Sequence, residues 1–201
     1  DALLHEVSIF SEWFVPAFAP AIDVPSFDAE FRGLWRKGLG PVQDAPKTLV
    51  LRDFHIDNLM LLEDRAGSAA CGLLDFQDGV LGAAEYDLMS LLQDARRDLG
   101  AGIEQAMLER YLAGVPAQSG TETAIMRRYH LLAAQRHTRL AGLFPRLNKR
   151  DGKVTYLKFL PRVMHQMQTA LAAAKLSEIS DFLDTTLPGW RFAGPAMANT
   201  Q

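Results

Sequence analysis

Apolar residues recur at helical spacing near the start of the chain. Residues 2–18 and residues 26–40 each place apolar side chains three or four positions apart, which predicts two amphipathic helices. Ser26 is the expected N-cap of the second helix, because its hydroxyl can accept a hydrogen bond from a free backbone N–H. The apolar positions are Leu3, Val7, Phe10, Phe14 and Phe18 in the first helix and Phe27, Phe31, Leu34 and Trp35 in the second.

The pattern changes between residues 48 and 76, where apolar residues form short runs. The runs TLVLRD (48–53), NLMLLED (58–64) and AACGLLDF (69–76) are typical of strands. The segment DRAGS (64–68) predicts a turn that joins the last two strands as a hairpin. This stretch is therefore the expected β element of the fold.

Helical spacing returns after Gly82 and continues almost to the end of the chain. Thr121 or Thr123 is an expected N-cap, and Pro161 is expected either to open or to kink its helix. The predicted helices cover residues 83–99, 103–115, 121–144, 156–175 and 177–187, followed by a loose tail over residues 194–201. These elements predict an α+β fold that is predominantly α, in which a helical body carries one small β element.

Composition and charge narrow the class of protein. The chain has 201 residues, of which 48% are apolar and 22% are charged, ordinary values for one globular domain or one lobe of a larger protein. The net charge of −3 argues against a protein that binds nucleic acid through a basic surface. The first residue is Asp1 rather than methionine, which indicates a processed or excised piece.

The chain also lacks the sequence features of an exported or membrane protein. Its single cysteine, Cys71, cannot form an internal disulfide, and no apolar run reaches the length of a membrane span. No signal-peptide pattern opens the sequence. These features predict a cytoplasmic protein whose partner is neither a membrane nor a nucleic acid.

Three polar residues stand at the ends of the predicted strands. Asp53 ends the first strand, Asn58 begins the second, and Asp75 ends the third. Carboxylate and amide oxygens suit Mg²⁺, which takes one or two protein ligands and keeps water and phosphate oxygens. Asn58 and Asp75 are thus the expected metal ligands, and Asp53 remains free to accept a proton from a hydroxyl, as in kinase-type phosphoryl transfer. An Asp and an Asn at this spacing are common in turns, so the interpretation depends on the flanking strands and on Asp75.

Two stretches, LRDFHIDNLMLL (51–62) and GLLDFQDGVLGAAEYDLMSLLQDARRD (72–98), resemble the aminoglycoside phosphotransferase and choline kinase superfamily. Two further stretches, EVSIFSEWFVP (6–16) and QRHTRLAGLFPRLNKRDGKVTYLKFLPRV (135–163), resemble a narrower group. That group is the bacterial cell-wall-recycling kinases that phosphorylate the anomeric hydroxyl of N-acetylmuramate and N-acetylglucosamine. The resemblance covers nearly the whole chain.

This resemblance implies a protein-kinase-like fold in which residues 1–201 form the C-terminal lobe. It implies that Asp53 is the catalytic base and that Asn58 and Asp75 bind Mg²⁺ and the ATP that it accompanies. The histidine that the superfamily has two residues before the catalytic aspartate is Leu51 here; that histidine usually supports the loop. The chain has no Gly-rich strand pair with a strand lysine. An N-terminal nucleotide-binding lobe is therefore the expected missing partner, and the 201 residues alone are expected to be inactive.

Several further residues receive an interpretation from their position in the sequence. Asp57 is interpreted as a turn-capping residue. Asp87 is interpreted as structural, because it lies near a helix start and the matching aspartate of the superfamily braces the catalytic loop. Three basic residues, Arg146, Lys149 and Arg150, are interpreted as a solvated turn.

The candidate acceptor-binding residues are His55, in the loop, and Arg136 and His137, on an otherwise apolar helical stripe. An arginine on such a stripe needs an anionic partner. That partner is either an internal carboxylate or an anionic substrate group such as a lactyl carboxylate. His55 either contacts the substrate or organises the loop. An amino sugar is the expected acceptor. The alternatives are an aminoglycoside or choline-type acceptor, and a catalytically silent kinase-like module that binds a partner.

Overall fold

The structure, a computed structural model, describes residues 2–195. Helices account for 67% of the residues, which confirms the prediction of a mostly helical fold with few strands. The helices are α1 (Ala2–Ile9), α2 (Val15–Phe18), α3 (Val24–Gly38), α4 (Gly40–Gln43), α5 (Glu85–Leu92), α6 (Ile103–Gly114), α7 (Glu122–Asp151), α8 (Leu160–Ala173) and α9 (Ser177–Thr186). The strands are β1 (Lys47–Val50), β2 (Leu59–Leu61), β3 (Cys71–Leu73) and β4 (Val80–Ala83). Most of the predicted loose tail, residues 196–201, lies outside the described residues.

The chain divides into two compact units. The helical unit comprises the residues up to 43 together with those from 130 onward, and the strand-bearing unit comprises residues 44–129. The division falls within α7, after Tyr129. The prediction of one domain over residues 1–201 stays a prediction.

Aromatic residues fill the core of the helical unit. Phe10 and Phe14 lie on the π-helical turn Phe10–Phe14 between α1 and α2, and their rings stack with centroids 4.5 Å apart. Phe31 of α3 lies 5.4 Å from Phe10, and all three rings are fully buried. Offset or tilted ring pairs of this kind add stabilisation beyond the area that they bury. The predicted apolar stripes of the first two helices therefore face each other.

The α1 and α7 helices approach each other closely within this unit. A Cβ atom at Gly142 would lie 2.3 Å from the carbonyl oxygen of Ile9, so only glycine fits at that position. A further bond joins the same two helices, because Gln135 Nε2 donates to the carbonyl oxygen of Leu3 at 3.1 Å. These contacts hold α1 directly against α7.

Several predicted helix ends are corrected by the structure. The N-cap of α3 is Asp23 rather than Ser26, because the Asp23 carboxylate accepts a hydrogen bond from the Ser26 N–H at 3.1 Å. Thr121, rather than Thr123, caps α7 by accepting from the Ala124 N–H at 3.3 Å. Pro161 lies in the first turn of α8, so it opens the helix and does not kink it.

The basic turn predicted at Arg146, Lys149 and Arg150 is wrong, because α7 continues through Pro145 to Asp151. The helix ends at Asp151, and the next residue, Gly152, has a φ of +67°. The Lys153 N–H then bonds to the carbonyl of Leu147 at 3.0 Å, which closes the last turn. The glycine, rather than the proline, therefore sets the end of this helix.

The strand-bearing unit contains the predicted hairpin and one strand that the sequence pattern missed. β2 and β3 pair antiparallel, with Leu59 opposite Leu73, as expected. β4 pairs antiparallel with β1, with Leu49 opposite Leu81. The expectation that everything after Gly82 is helical is slightly wrong, since Ala83 belongs to β4. The single glycine, Gly82, and the short length of this strand conceal it in the sequence.

The helix predicted over residues 83–99 is shorter than expected, because α5 ends at Leu92. The Asp94 carboxylate accepts a hydrogen bond from the Arg96 N–H at 2.9 Å, and such local bonds compete with helix continuation.

Among the helices of residues 2–195, none is both long and apolar enough to cross a membrane.

Candidate active site

A compact loop connects β1 to β2 and carries four of the candidate residues. The strand predicted to reach Asp53 ends at Val50, and Arg52 then adopts a left-handed backbone with a φ of +68°. This conformation costs a residue with a Cβ about 1–2 kcal/mol. The Asp53 N–H bonds to the Leu51 carbonyl at 2.8 Å, and the Asn58 N–H bonds to the His55 carbonyl at 2.9 Å. The loop is therefore a series of tight turns that folds back on itself.

The turn brings Asn58 against the backbone of Asp53. The side-chain amide nitrogen of Asn58 donates a hydrogen bond to the Asp53 carbonyl at 2.8 Å. His55, which is buried, places its Nε2 atom 3.4 Å from the same amide nitrogen. Because the nitrogen faces these two groups, the oxygen of the Asn58 amide is the atom that can serve as a metal ligand.

Asp75 follows β3 and lies beside the segment that carries Asn58. The Leu74 N–H donates to the Asn58 carbonyl at 2.9 Å, which extends the hairpin by one bond. Asp75 itself has a φ of +56°, and its Oδ1 atom accepts from Gln77 Nε2 at 2.5 Å. Non-glycine residues with this backbone are concentrated at functional sites. The hairpin thus brings Asn58 and the end of β3 together, as the sequence pattern indicated.

The donor set at this position fits Mg²⁺ better than a metal held entirely by protein. Within residues 2–195, no group of three or more His, Cys, Asp and Glu side chains is placed to hold a metal ion. Asn58 and Asp75 supply one amide oxygen and one carboxylate, which is a smaller set. Mg²⁺ commonly binds through one or two such groups and completes its shell with water and phosphate oxygens.

The start of the loop is held by the carboxylate of Asp87, in α5. Its two oxygens accept hydrogen bonds from the Leu51 N–H at 2.7 Å and from the Arg52 N–H at 3.1 Å. Both bonds are to an ionised acceptor, which makes them stronger than neutral bonds. They stabilise the left-handed Arg52 immediately before Asp53, in agreement with the structural role predicted for Asp87.

The end of the loop is held by two arginines that sequence reasoning did not single out. Arg96 Nη1 lies 3.1 Å from Asp57 Oδ2, and Arg97 Nη2 lies 2.6 Å from Asp57 Oδ1. Asp57 is therefore an ion-pair partner of the segment after α5 rather than only a turn cap. The adjacent basic pair in QDARRD was the one available signal, but nothing in the sequence connects it with residue 57.

A cavity of about 740 Å³ lies elsewhere in the strand-bearing unit, between α5, α6 and the start of β1. At its wall the buried carboxylate of Glu85 accepts two bonds from Arg128, at 3.0 and 2.5 Å. Arg128 also donates to the Ser119 carbonyl at 2.8 Å. Burial and the charge of Glu85 raise the pKa of Tyr111, which lines the same cavity.

Arg136 and His137 lie in the helical unit, apart from the unit that carries Asp53, Asn58 and Asp75. Arg136 is 5% exposed and His137 is fully buried. Burial, together with the charges of Arg136 and Arg162, lowers the pKa of His137 to about 3, so its imidazole is neutral at pH 7. The substrate contacts predicted for these two residues stay predictions.

Residues 8–129 match the sequence model described as Phosphotransferase enzyme family, which is more than half of the chain. The chain belongs to this phosphotransferase family. The matched range includes Asp53, Asn58 and Asp75, whereas Arg136 and His137 lie beyond it.

Three relatives within the phosphotransferase family carry the same name, N-acetylmuramate/N-acetylglucosamine kinase. The protein from Caulobacter vibrioides is 38% identical over 93% of this chain and 51% of its own length. The protein from Neisseria meningitidis is 33% identical over 84% of this chain and 50% of its own length. The protein from Pseudomonas aeruginosa is 31% identical over 90% of this chain and 54% of its own length. The chain therefore spans about half the length of the relatives that it matches.

Proposed function

We propose that the intact protein transfers the γ-phosphoryl group of ATP to the anomeric hydroxyl of N-acetylmuramate or N-acetylglucosamine. The observation that carries this proposal is the bond between the Asn58 amide and the Asp53 carbonyl, in a loop joined to the end of β3. This bond supports the proposal because it joins the residue proposed as the base to one proposed oxygen ligand, and the bond from the Leu74 N–H to the Asn58 carbonyl brings in the segment of the second proposed ligand, Asp75. The names of the relatives in the phosphotransferase family supply the choice of acceptor.

Asp53 is the proposed base. Its carboxylate takes the proton of the sugar hydroxyl as that oxygen forms a bond to the γ-phosphorus, and ADP leaves with the electrons of the broken P–O bond. An anomeric hydroxyl is more acidic than an ordinary alcohol, so one carboxylate suffices as the base. Positioning of the two reactants supplies much of the remaining rate increase.

Asn58 and Asp75 are the proposed ligands for Mg²⁺, each through one side-chain oxygen. When bound, the metal ion neutralises charge on the phosphate oxygens in the transition state. His55 is proposed to organise the loop, since it is buried and its ring nitrogen lies 3.4 Å from the Asn58 amide.

A nucleotide-binding lobe outside these 201 residues is proposed to complete the enzyme. The relatives are about twice as long as the matched region, and the chain has no Gly-rich strand pair with a strand lysine. The strand-bearing unit also exposes large apolar side chains, with Leu61 76% and Leu73 43% accessible. Apolar surface of this kind is typical of a face that another part of a protein covers. The 201 residues alone are therefore proposed to be inactive.

The test is a panel of acceptors assayed side by side with the intact protein, ATP and Mg²⁺. We expect turnover with N-acetylmuramate and N-acetylglucosamine, and a product whose phosphate is on the anomeric carbon. Choline and an aminoglycoside serve as the competing acceptor classes. Turnover of either competitor with none on the two sugars would replace the proposed acceptor while keeping the phosphotransferase chemistry.

Arg136 is the proposed partner of the lactyl carboxylate, which only N-acetylmuramate carries. Arg136→Ala should then raise the transition-state free energy, measured from kcat/KM, more for N-acetylmuramate than for N-acetylglucosamine. The expected difference is roughly 1.5–3 kcal/mol, the range for one hydrogen bond to a charged group. Because the side chain is buried, thermal unfolding must be measured on the same variant. An equal loss on both sugars would indicate a structural role and would remove Arg136 from the acceptor site.

A further inference from the structure

One continuous segment, residues 87–97, binds both ends of the loop that carries Asp53 and Asn58. Asp87 binds the backbone at Leu51 and Arg52. Nine and ten residues later in the chain, Arg96 and Arg97 bind the side chain of Asp57, the residue immediately before Asn58. Each oxygen of the Asp57 carboxylate takes one arginine, so the carboxylate is fixed in direction as well as in position.

Arg96, one of the two arginines, is itself held in place by Asp94. Asp94 is buried, and its Oδ1 atom accepts from the Arg96 N–H at 2.9 Å and lies 3.6 Å from Arg96 Nε. The guanidinium of Arg96 is therefore held between Asp94 and Asp57. A side chain that is pinned in this way loses less conformational entropy when it binds a further partner.

We propose that Arg96 and Arg97 are positioning residues of the phosphoryl-transfer site and act on Asn58 through Asp57. This inference rests on the proposed function. The side chain of Asn58 must keep its nitrogen on the Asp53 carbonyl for its oxygen to serve the metal ion. A fixed carboxylate at Asp57 limits rotation of the backbone on the N-terminal side of Asn58. The two arginines also offset the charge of Asp57, which would otherwise repel the phosphate groups of the nucleotide.

The ion pairs of Asp57 with Arg96 and Arg97 are expected to contribute little to the free energy of unfolding. This small contribution distinguishes them from contacts that serve only to stabilise the fold. The side chains of Arg97 and Asp57 are 59% and 41% exposed, and that of Arg96, which also lies against the buried Asp94, is 32% exposed. Ion pairs in such surroundings are screened by water and contribute little to folding. We therefore expect the double variant R96Q/R97Q to lower the unfolding midpoint by less than about 4 °C.

The effect on catalysis is expected to be larger. In the intact protein, R96Q/R97Q should lower kcat about tenfold, because a loop that is no longer fixed spends less time with Asn58 in place. The KM for ATP should change by less than about threefold, since Asp75 is untouched. R96K/R97K keeps both positive charges and should recover most of the lost turnover. Arg127→Gln, at an exposed arginine of the same unit, is the matched control and should have no effect.

Two further measurements decide whether the arginines act through Asp57. The triple variant D57N/R96Q/R97Q should have a kcat no lower than that of R96Q/R97Q, because the ion pairs are already absent and D57N also removes the uncompensated charge of Asp57. Amide hydrogen exchange of residues 53–58 should be at least about threefold faster in R96Q/R97Q than in the parent protein. Losses of kcat from D57N and from R96Q/R97Q that simply multiply would overturn the inference, and so would unchanged exchange in the loop.

The exchange measurement also separates this inference from the proposed function. If the parent protein phosphorylates none of the acceptors in the panel, the proposed function fails, and the exchange rates still decide whether the arginines fix the loop. If the parent protein is active and R96Q/R97Q keeps kcat within about twofold, the positioning role fails alone.

Discussion

The side-chain amide of Asn58 donates a hydrogen bond to the backbone carbonyl of Asp53 at 2.8 Å. The five-residue spacing in the sequence therefore becomes a direct contact in the structure. The contact orients the side-chain amide of Asn58 through a main-chain atom, which a substitution at residue 53 does not remove. Residues 53 and 58 can thus be tested separately.

Asn58→Ala removes both the bond to the Asp53 carbonyl and the proposed metal ligand. We expect kcat to fall about 100-fold or more and the Mg²⁺ concentration needed for half-maximal rate to rise. Asn58→Asp retains an oxygen ligand but loses the N–H donor, so its activity should lie between those of Asn58→Ala and the parent. Titration of the rate with Mg²⁺ measures both effects. Equal Mg²⁺ dependence in all three proteins would argue against a ligand role.

Asp53→Asn preserves the size of the side chain and removes its ability to accept a proton. We expect kcat to fall by about 10²–10⁴-fold while the KM for ATP changes little, because a base acts in the transition state. The control is Asp64→Asn, at an exposed aspartate in the turn between β2 and β3. Near-normal turnover of Asp53→Asn would assign this residue a structural role.

Asp87→Asn replaces one of the two acceptor oxygens with an NH₂ group, which cannot accept a hydrogen bond. At least one of the bonds to the Leu51 and Arg52 N–H groups is then lost, and we expect the free energy of unfolding to fall by about 1–3 kcal/mol. The left-handed backbone at Arg52 loses its support, so kcat should fall as well. Urea unfolding and steady-state kinetics measure the two effects. Asp44→Asn, at an exposed position of the same unit, should change neither.

The buried imidazole of His137 makes stability depend on pH in a defined direction. Its pKa is about 3 in the folded protein, whereas an unfolded histidine titrates near about 6.5. Between these values the unfolded chain binds a proton that the folded chain does not, so stability is full above about pH 6.5 and falls as the pH falls. His137→Asn should remove about 1.4 kcal/mol per pH unit of that slope.

Unfolding by urea at several pH values between 7 and 4 measures the slope. His165→Asn, at an exposed histidine, is measured in parallel as the comparison variant. A slope that is equal in His137→Asn and the parent would mean that other groups cause the acid sensitivity. The charges of Arg136 and Arg162 contribute to the low pKa, so neither is a suitable control.

The features that the sequence predicted correctly are those set by neighbours in the chain. Apolar runs on both sides of the loop placed Asp53, Asn58 and Asp75 near strand ends, and the hairpin then joined the Asn58 segment to Leu74. Short-range capping chemistry likewise limited the N-cap of α7 to Thr121 or Thr123, and the structure shows that it is Thr121.

The features that were missed depend on distant partners or on competition between similar signals. The contact of Asp57 with Arg97 joins residues that are 40 positions apart, and nothing in either segment specifies the other. Ser26 and Asp23 are both good caps, and only the backbone at the start of α3 decides between them. β4 contains a glycine and forms only because β1 offers an edge.

The narrow gap between α1 and α7 has a consequence for anyone who wishes to engineer this chain. Replacing helical glycines by alanine is a common way to raise stability, by about 0.5–1 kcal/mol per site. At Gly33 of α3 a Cβ would meet no atom within 4 Å apart from its chain neighbours and the nearby backbone of its own helix, so it is suited to that substitution. At Gly142 the same methyl group would meet the Ile9 carbonyl at 2.3 Å. Alanine is therefore expected to stabilise the protein at Gly33 and to destabilise it at Gly142, although both are helical glycines in the sequence.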